Sequence, residues 1–539
     1  MSTLTGTWPL LRLASRRDRI KLPLWVACLT IFVPYLFVAY ETVLSDPKTL
    51  AAIMGMVANP VMAIFTGPGY GLSSADADVG HGVIFASIYW LYLLLLVALM
   101  NILLVSRHTR LEEQTGRSEL LRADAVGRHA PLTAALLLAL SANLVLALAI
   151  AGSLIAFDNP AEDAAVVGVA TALVGCVFAA VTAVTVQLSS FAGSASGLAG
   201  AVLGVAFIVR GVGDMIAPAG QHGTWLSWLS PFAWAQQTRA FVDARWWPLL
   251  VPAVVVAALL AVAYALQSRR DFGSGILGTR SGREHAPGWA GTTTGFALRL
   301  HRGAIGWWLF GLALAALMYA AFTDSMVEAF SDLPPIFREL MGGADGALSG
   351  YLTITTTMFR LTLAVFALVI FGRVVAEETD GRLESVLSTR TSPRRWLGAH
   401  LLVIAAATLV AATVTGAIGG AFTAAAGDDG AWLWRGIAAA LTGVPSVLVV
   451  LGIAAALYSL GVRWVVLAWL PVVLGSVISL FGDVLSLPGW ARELSPFEHT
   501  PVMPASDFRL APVLVQLAVA ATLFAVAVWG VRHRDITSS

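Results

Sequence analysis

The octapeptide EEQTGRSE at residues 112–119 returns as EETDGRLE at residues 377–384, a distance of 265 positions. A second pattern, a tryptophan followed by Ser-Pro-Phe, returns at the same distance (Trp225 with 230–232, then Trp490 with 495–497). Two unrelated motifs that share one offset indicate a duplicated unit of about half the chain. Each half contains about six strongly apolar stretches, so the duplicated unit is predicted to be a bundle of membrane helices.

The composition of the 539-residue chain supports a membrane protein. It is 58% hydrophobic and only 12% charged, whereas an average soluble domain has about 25% charged residues. Apolar runs such as 83–105 and 131–156 are long enough to cross about 30 Å of hydrocarbon as helices. They lack the alternating polarity of membrane β-barrel strands. The sequence therefore predicts an all-α polytopic membrane protein.

About twelve membrane-spanning helices are expected. They are placed near 22–42, 83–106, 131–156, 164–187, 196–216, 246–267, 303–323, 352–373, 396–425, 432–459, 464–483 and 509–531. With the N-terminus inside, most of the 33 Lys and Arg residues fall in inner segments, and most of the 32 Asp and Glu residues fall in outer segments. This distribution follows the positive-inside rule. It predicts a multi-pass protein of the plasma (inner) membrane with both termini in the cytoplasm.

The duplication defines the predicted domains. Residues 1–267 form a first six-span half, 268–294 a cytoplasmic linker rich in Gly, Arg, Ser and Thr, and 295–539 a second six-span half. An even number of spans in each half makes the two copies parallel repeats rather than inverted ones. The two cysteines, Cys28 and Cys176, lie within apolar runs, which predicts buried thiols rather than a disulfide or a metal site.

The repeated charged motif predicts a short helix at the inner ends of spans 2 and 8. Thr109 and Glu112 have the spacing of a helix capping box. Glu113 with Arg117, and Glu378 with Arg382, have the i,i+4 spacing of a favourable ion pair. One interpretation is a solvated helix that only keeps a loop in water. Two copies at equivalent positions favour the other interpretation, a surface on which a partner docks.

In these stretches the sequence resembles permeases of ATP-binding-cassette exporters of the polyketide-antibiotic class, which include the tetronasin-type exporters of actinobacteria. The resemblance is carried by E-E-x-x-G-R-x-E in both copies, by Gly127-Arg128 after the first and by Ser392–Trp396 after the second. It implies export of hydrophobic or amphiphilic antibiotics and drugs across the lipid bilayer. It also implies that this motif is a coupling helix facing the ATPases, through Glu112, Glu113, Gly116, Arg117, Glu119, Glu377, Glu378, Gly381, Arg382 and Glu384.

No phosphate-binding G-x-x-x-x-G-K-[ST] loop occurs in the sequence, so ATP hydrolysis is expected on another polypeptide. The chain is accordingly predicted to be a non-catalytic transport subunit with no cofactor of its own. Two copies of a separate ATP-binding-cassette ATPase would bind ATP and Mg. No metal site and no nucleic-acid partner are expected.

Two arginines at membrane depth mark a candidate substrate pathway. A charge there costs about 2.5–3.5 kcal/mol, so each arginine needs a partner or a wet cavity. Asp214 follows Arg210 at i+4 and is its expected partner, whereas Arg360 has no such local partner and is expected to face a cavity. Together with nearby aromatic and methionine side chains, the candidate pathway residues are Phe85, Tyr89, Tyr92, Phe207, Arg210, Met358, Phe359, Arg360 and Phe366.

The two Ser-Pro-Phe segments precede spans 6 and 12 on the predicted outer side. Semi-apolar loops interrupted by proline can re-enter the membrane where protein shields their backbone. The family resemblance implies an outer gate, and a simple interfacial anchor is the alternative. The residues concerned are Trp225, Pro231, Phe232, Trp490, Pro496 and Phe497.

Two other classes of protein fit the sequence less well. A proton-driven twelve-span carrier of the major-facilitator type needs a titratable group in the bilayer core, and His400 near the edge of span 9 is the only histidine that qualifies. A membrane-embedded enzyme needs a polar catalytic cluster, and no paired carboxylates, His-Asp dyad or metal-ligand spacing is present in the sequence.

Overall fold

The computed structural model describes residues 2–44, 50, 54, 57, 62–72, 79–116, 126–217, 224–271, 273–277, 285, 287–321, 323, 343–481, 488–501 and 503–534. Within these residues the chain is helical and contains no β-strand. Two predicted coupling residues, Arg117 and Glu119, lie outside this part of the chain.

Twelve helices in the described residues are long and apolar enough to cross a membrane, which confirms the predicted fold class. In chain order, spans 1 to 12 are Lys21–Val38, His81–Gln114, Ala130–Ala156, Ala161–Leu188, Ala192–Ile216, Trp247–Arg269, Thr293–Ala320, Leu348–Thr379, Pro393–Ala426, Ala431–Leu460, Val462–Ser479 and Leu510–Gly530. Shorter helices are Thr7–Arg17, Ala63–Thr66, Pro231–Gln236, Arg382–Leu387 and Gly489–Arg492.

Span 2 continues well past the apolar run that predicts it. Its last two turns, 107–114, are rich in charged and polar residues. The helix continues through them because Arg, Leu, Glu and Gln are good helix formers. Span 2 also contains two π-helical segments, Phe85–Tyr89 and Arg107–Leu111. Such segments occur often at functional sites. Its counterpart, span 8, is the end of one uninterrupted α-helix, Gly343–Thr379.

The chain forms two compact units, Met1–Ser281 and Gly282–Ser539. In the first unit, 67% of the most apolar window of spans 2 and 4 is buried, against 17% for spans 5 and 6. The second unit repeats this order, with 61% and 67% for spans 8 and 10 and 17% for spans 11 and 12. The second and fourth spans of each unit therefore form its core. Span 1 is peripheral too and exposes Cys28, so the prediction of a buried thiol is wrong there.

Polar side chains hold the core of the first unit together. Asn101 of span 2 and Asn143 of span 3 are fully buried and donate to each other through their amides, at 2.9 Å in both directions. The indole of Trp90 donates to the hydroxyl of Thr171 at 2.9 Å. Interhelical hydrogen bonds of this kind associate helices where lipid supplies no hydrophobic driving force.

The stretch 268–294 is only partly a linker. The amides of Ile276 and Leu277 donate to the carbonyls of Gln187 and Leu188 at the end of span 4, both at 3.0 Å. At the other end, the helix of span 7 begins at Thr293 rather than near 303, since the Thr292 hydroxyl caps it by accepting from the amide of Gly295. The boundary between the two units falls inside the predicted linker, but both ends of that linker belong to structured units.

Candidate functional site

The first copy of the charged motif forms the end of span 2 itself. Thr109 lies inside the helix and its hydroxyl donates to the carbonyl of Val105 at 2.6 Å, so the predicted capping box is wrong. The helix ends at Gln114, and Gly116 then adopts a left-handed backbone with φ 71°. Glycine favours this conformation because it has no Cβ. The described part of the predicted coupling helix, up to Gln114, is therefore an extension of the membrane span in this unit.

The carboxylate of Glu113 is bound by two arginines. Arg270, directly after span 6, approaches both carboxylate oxygens, at 2.5 and 2.9 Å. Arg110, one turn earlier on span 2, donates to one of them at 2.6 Å. The Glu113 side chain is only 14% exposed. The predicted partner Arg117 lies outside the described residues, while the neighbouring Glu112 pairs with Arg17 of the N-terminal helix at 2.8 Å.

The same two arginines also bind the carboxyl end of span 4. The Nε of Arg270 donates to the side-chain oxygen of Gln187 at 2.6 Å, and the Nε of Arg110 donates to the carbonyl of Val186 at 3.1 Å. The last carbonyls of a helix lack intrahelical partners and carry its negative dipole end. Arginine side chains at this position therefore join the ends of spans 2, 4 and 6. We call Glu113, Arg110, Arg270 and Gln187 the first clamp.

The second copy has the same backbone but different side-chain partners. Span 8 ends at Thr379, and Gly381 adopts φ 72°, before the short helix Arg382–Leu387. Arg382 pairs with Glu377 and Asp380, both at 2.8 Å, and not with Glu378 as the i,i+4 spacing predicts. Here a short charged helix does follow the span.

Glu378 is 2% exposed and is bound from two other spans. The hydroxyl of Tyr458, in the last turn of span 10, donates to one carboxylate oxygen, and Arg534, just after span 12, binds the other. Arg534 also donates to the carbonyl of Tyr458 at 2.6 Å and lies 4.9 Å from the centre of its ring. We call Glu378, Tyr458 and Arg534 the second clamp. Neither acid therefore has a freely solvated side chain, since that of Glu113 is 14% exposed and that of Glu378 is 2% exposed.

Sequence reasoning missed the clamp partners Arg270, Arg534, Gln187 and Tyr458. The two arginines do leave a signal, because each lies within four residues of the end of the last span of its unit. At the ends of spans 2 and 8, the motif residues that can still contact another protein are the more exposed ones. Arg382 and Glu384 are exposed, and the Arg382 side chain is 53% exposed.

A cavity of about 380 Å³ lies beside the first clamp. The N-terminal helix contributes Leu10, Leu13 and Arg17 to its wall, and Glu112 and Glu113 also line it. The cavity has both charged and apolar walls within the first unit.

The Ser-Pro-Phe segments of the two units share the contacts of their serine and phenylalanine, although the helix Pro231–Gln236 follows Ser230 and only turns follow Ser495. The hydroxyls of Ser230 and Ser495 accept from the amides two residues on, both at 3.3 Å. Phe232 and Phe497 are fully buried, while Trp225 and Trp490 are 76% and 70% exposed. Pro231 is buried and Pro496 half-buried. The phenylalanines therefore anchor these segments in their units, and the tryptophans project away from them.

Arg210 and Asp214 form the predicted pair, at 3.1 Å, and both side chains are fully buried. Arg210 also donates to the carbonyls of Ala63, at 3.2 Å, and Ile64, and lies over the ring of Phe207 at 5.4 Å. Its contact with Gln236, at 3.4 Å, reaches the helix that follows Ser230. The arginine is enclosed by its own unit and joins several of its segments.

Arg360 also contacts the Ser-Pro-Phe segment of its unit. It donates to the hydroxyl of Thr500, lies 5.8 Å from the ring of Phe497, and is 8% exposed. Its polar partner is distant in sequence, so the sequence offers no local sign of it. Each unit therefore anchors its segment with a buried arginine, but from a different span. At the 265-residue offset, the position equivalent to Arg360 in the first unit is Leu95, and the position equivalent to Arg210 in the second unit is Gly475.

An apolar groove of about 610 Å³ opens in the second unit. The predicted pathway residues Met358 and Phe359 border it, and its other walls are Trp307, Trp308, Gly311, Leu312, Ala315, Tyr319, Leu361, Thr362, Val365 and Ser476. Phe366 packs behind it against Trp308, with ring centroids 5.7 Å apart. Its size and apolar walls are typical of sites for small hydrophobic ligands.

The remaining pathway candidates and His400 lie elsewhere. In span 2, Phe85 is buried against Phe37, Tyr89 is half-buried and Tyr92 is 38% exposed. His400 is fully buried and its Nδ1 lies 2.8 Å from Nε2 of the equally buried His301 on span 7. The histidine that the sequence singles out therefore belongs to a pair of rings from two spans.

Comparison with known proteins gives a consistent result over nearly the whole chain. The sequence model of a family described as "Multidrug efflux system permease Rv1217c, C-terminal domain" matches residues 11–266 and 291–532. A relative from Mycobacterium tuberculosis (strain ATCC 25618 / H37Rv), the "Multidrug efflux system permease protein Rv1217c", is 35% identical over 541 residues. That alignment covers 99% of this chain and 96% of the relative. With the twelve apolar helices, this relationship makes the chain an integral membrane protein.

Proposed function

The chain belongs to the family of multidrug efflux system permeases, and on that premise we propose that it is the membrane subunit of an ATP-binding-cassette exporter. Its cargo would be hydrophobic or amphiphilic drugs and antibiotics of the kind that tetronasin-type exporters carry. The observation that supports this proposal best is the repeated E-E-x-x-G-R motif. In each unit it stands at the end of a core span, with its second acid bound in a clamp.

Two ATPase subunits would complete the exporter, one for each copy of the motif. They would bind ATP and Mg, because the chain has no phosphate-binding loop of its own. The exposed residues Arg382 and Glu384 are the proposed docking contacts in the second unit, and their counterparts at the 265-residue offset in the first are Arg117 and Glu119. The motif ends would then face the cytoplasm, in a plasma membrane that the chain crosses twelve times with both termini inside.

The buried residues suggest how such a subunit would work. A carboxylate that is enclosed with its arginine keeps its position relative to neighbouring spans when a force acts on the exposed part of the motif. The apolar groove beside Met358 and Phe359 offers a hydrophobic surface without a charged side chain in its wall. A ligand there would be held by apolar contact, which tolerates many shapes and suits a multidrug range.

Purification of the full-length chain from its native cells, with identification of any ATP-binding-cassette ATPase that co-purifies, tests the proposal. Glu384→Arg reverses an exposed charge in the motif, whereas Asp507→Arg reverses an exposed charge far from it in sequence. We expect Glu384→Arg to reduce both ATPase binding and ATP-dependent drug uptake into inverted vesicles. Asp507→Arg should leave both unchanged.

The same vesicles separate this proposal from the proton-driven alternative. Uptake that requires ATP and survives dissipation of the proton gradient supports an ATP-driven exporter. Uptake that proceeds without ATP and stops when the gradient is dissipated would support the major-facilitator type of mechanism and contradict our assignment.

A further inference from the structure

We infer that Arg270 and Arg534 are positioning residues that couple the end of the second span in each unit to the end of its last span. Through them, a displacement of the charged motif would be carried along the last span to the Ser-Pro-Phe segment that precedes it. This inference rests on the proposed function, because an ATPase supplies the displacement. It assigns a role in coupling to residues outside the motif.

The first clamp makes this connection through one guanidinium group. Arg270 meets both oxygens of Glu113, at 2.5 and 2.9 Å, and reaches Gln187 at 2.6 Å with its Nε. A bidentate pair fixes orientation as well as distance, because the planar fork of arginine matches the carboxylate. Span 2 therefore cannot shift relative to the end of span 6 without breaking two charged hydrogen bonds.

The second clamp makes the same connection with different chemistry. Arg534 binds the carboxylate of Glu378 and the carbonyl at the end of span 10, and it stacks over the ring of Tyr458. The Arg534 side chain is 14% exposed and that of Glu378 is 2% exposed. Separating them would leave a nearly buried carboxylate without its counter-charge, so the pair is expected to move as one body.

The last span of each unit links its clamp to the Ser-Pro-Phe segment. Span 6, Trp247–Arg269, has 23 residues, which as a helix measure about 34 Å. Its far end follows the helix Pro231–Gln236, where Phe232 stacks on Phe178 of span 4 at 5.5 Å. In the second unit, span 12 follows the Ser495–Phe497 segment in the same way. A rigid helix with contacts at both ends can transmit a movement between them.

The test uses the full-length permease with its ATPase in proteoliposomes. Cys28 and Cys176 are replaced by Ala, and a single reporter cysteine is placed at Trp225→Cys or Trp490→Cys, both highly exposed positions. The rate at which a membrane-impermeant maleimide reacts with the reporter is measured with and without ATP. The measurement needs no knowledge of the drug that is transported.

The clamp variants are Arg270→Gln and Arg534→Gln. The chain offers matched controls in Arg269→Gln and Arg532→Gln, exposed arginines one or two positions away. We expect ATP to change the reaction rate in the parent protein and in both controls. Arg270→Gln should lose the response at the Trp225 reporter, and Arg534→Gln at the Trp490 reporter, while ATPase binding and ATP hydrolysis persist. Arg→Lys at the same positions should restore part of the response.

Three outcomes would count against the inference in distinguishable ways. If the clamp variants respond to ATP as strongly as the controls, the clamps are structural only. If the parent protein binds the ATPase but its reporters ignore ATP, transmission to these segments does not occur. If the parent protein does not bind the ATPase, the proposed function fails and the inference fails with it. Should a Gln variant not fold, its Lys variant still distinguishes the first outcome, because lysine keeps the charge but cannot form the bidentate pair.

Discussion

The two copies of the charged motif share their backbone and differ in their partners. In both units the helix gives way to a left-handed glycine, with φ 71° at Gly116 and 72° at Gly381. In both, the second acid of the motif is bound by an arginine that follows the unit's last span. The first clamp, however, has two arginines around a carboxylate that is 14% exposed, whereas the second has one arginine and a tyrosine around one that is 2% exposed.

This difference shows that the two clamps share the compensation of a carboxylate charge and not the residues that provide it. A carboxylate close to a membrane core needs compensation for its lost hydration, and either a second arginine or a tyrosine hydroxyl can supply part of it. The two units satisfy the same electrostatic requirement with different residues. The second clamp depends more on each member, because it has fewer of them and water reaches it less.

The largest expected effect is the loss of the single arginine of the second clamp. Arg534→Met leaves Glu378 nearly buried without a counter-charge, which should lower the free energy of unfolding by about 3 kcal/mol. Arg270→Met should cost clearly less, because Glu113 retains Arg110. Denaturant unfolding of the purified protein in detergent measures both. Equal losses for the two variants, or a comparable loss for the exposed control Arg532→Met, would contradict the proposed difference between the clamps.

A smaller effect is expected for the residue that has no counterpart in the first clamp. Tyr458→Phe keeps the aromatic ring against Arg534 but removes the hydroxyl that donates to Glu378. A hydrogen bond to a charged group contributes about 1.5–3 kcal/mol, so unfolding should become easier by about 2 kcal/mol. Tyr35→Phe, at an exposed tyrosine of span 1, is the matched control and should change nothing. An unchanged unfolding midpoint for Tyr458→Phe would show that Arg534 alone compensates the acid.

The smallest effect should be the same in both units. Gly116→Ala and Gly381→Ala each place a Cβ in a left-handed conformation, which costs about 1–2 kcal/mol for a residue with a side chain. No neighbouring atom lies within 4 Å of the added Cβ among the described residues, so backbone strain is the whole effect. The two single variants should therefore have matching unfolding midpoints. Midpoints that differ clearly would mean that the motif glycines are not equivalent.

The local part of the candidate site could be predicted from the sequence. The Arg210–Asp214 pair is four residues apart on one helix, so helical geometry alone brings the two side chains together. The two Ser-Pro-Phe segments were found from the repeat, and in both the serine hydroxyl accepts from the amide two residues on while the phenylalanine is buried. The i,i+4 rule failed at Glu378, because a carboxylate there is reached more directly by side chains from other spans than by Arg382.

The partners of the motif acids could not be predicted, because they come from far along the chain. Arg270 lies 157 residues after Glu113, and Arg534 lies 156 residues after Glu378. Hydropathy shows where a span begins and ends but not which neighbours surround it. For the same reason, no partner for Arg360 could be read from the sequence, although Thr500 provides one from the Ser-Pro-Phe segment.

By itself, the sequence determined that the chain is a helical membrane protein with twelve spans, that its motifs are repeated, and where the charged ends of the spans lie. These properties depend on composition, on the length of apolar runs and on residues close together in the chain. Only the tertiary structure decided which spans form the core of each unit and that Glu113 and Glu378 are bound in clamps rather than freely solvated. Packing decides these features, because a side chain's burial and its counter-charge depend on helices that are adjacent in space and distant in sequence.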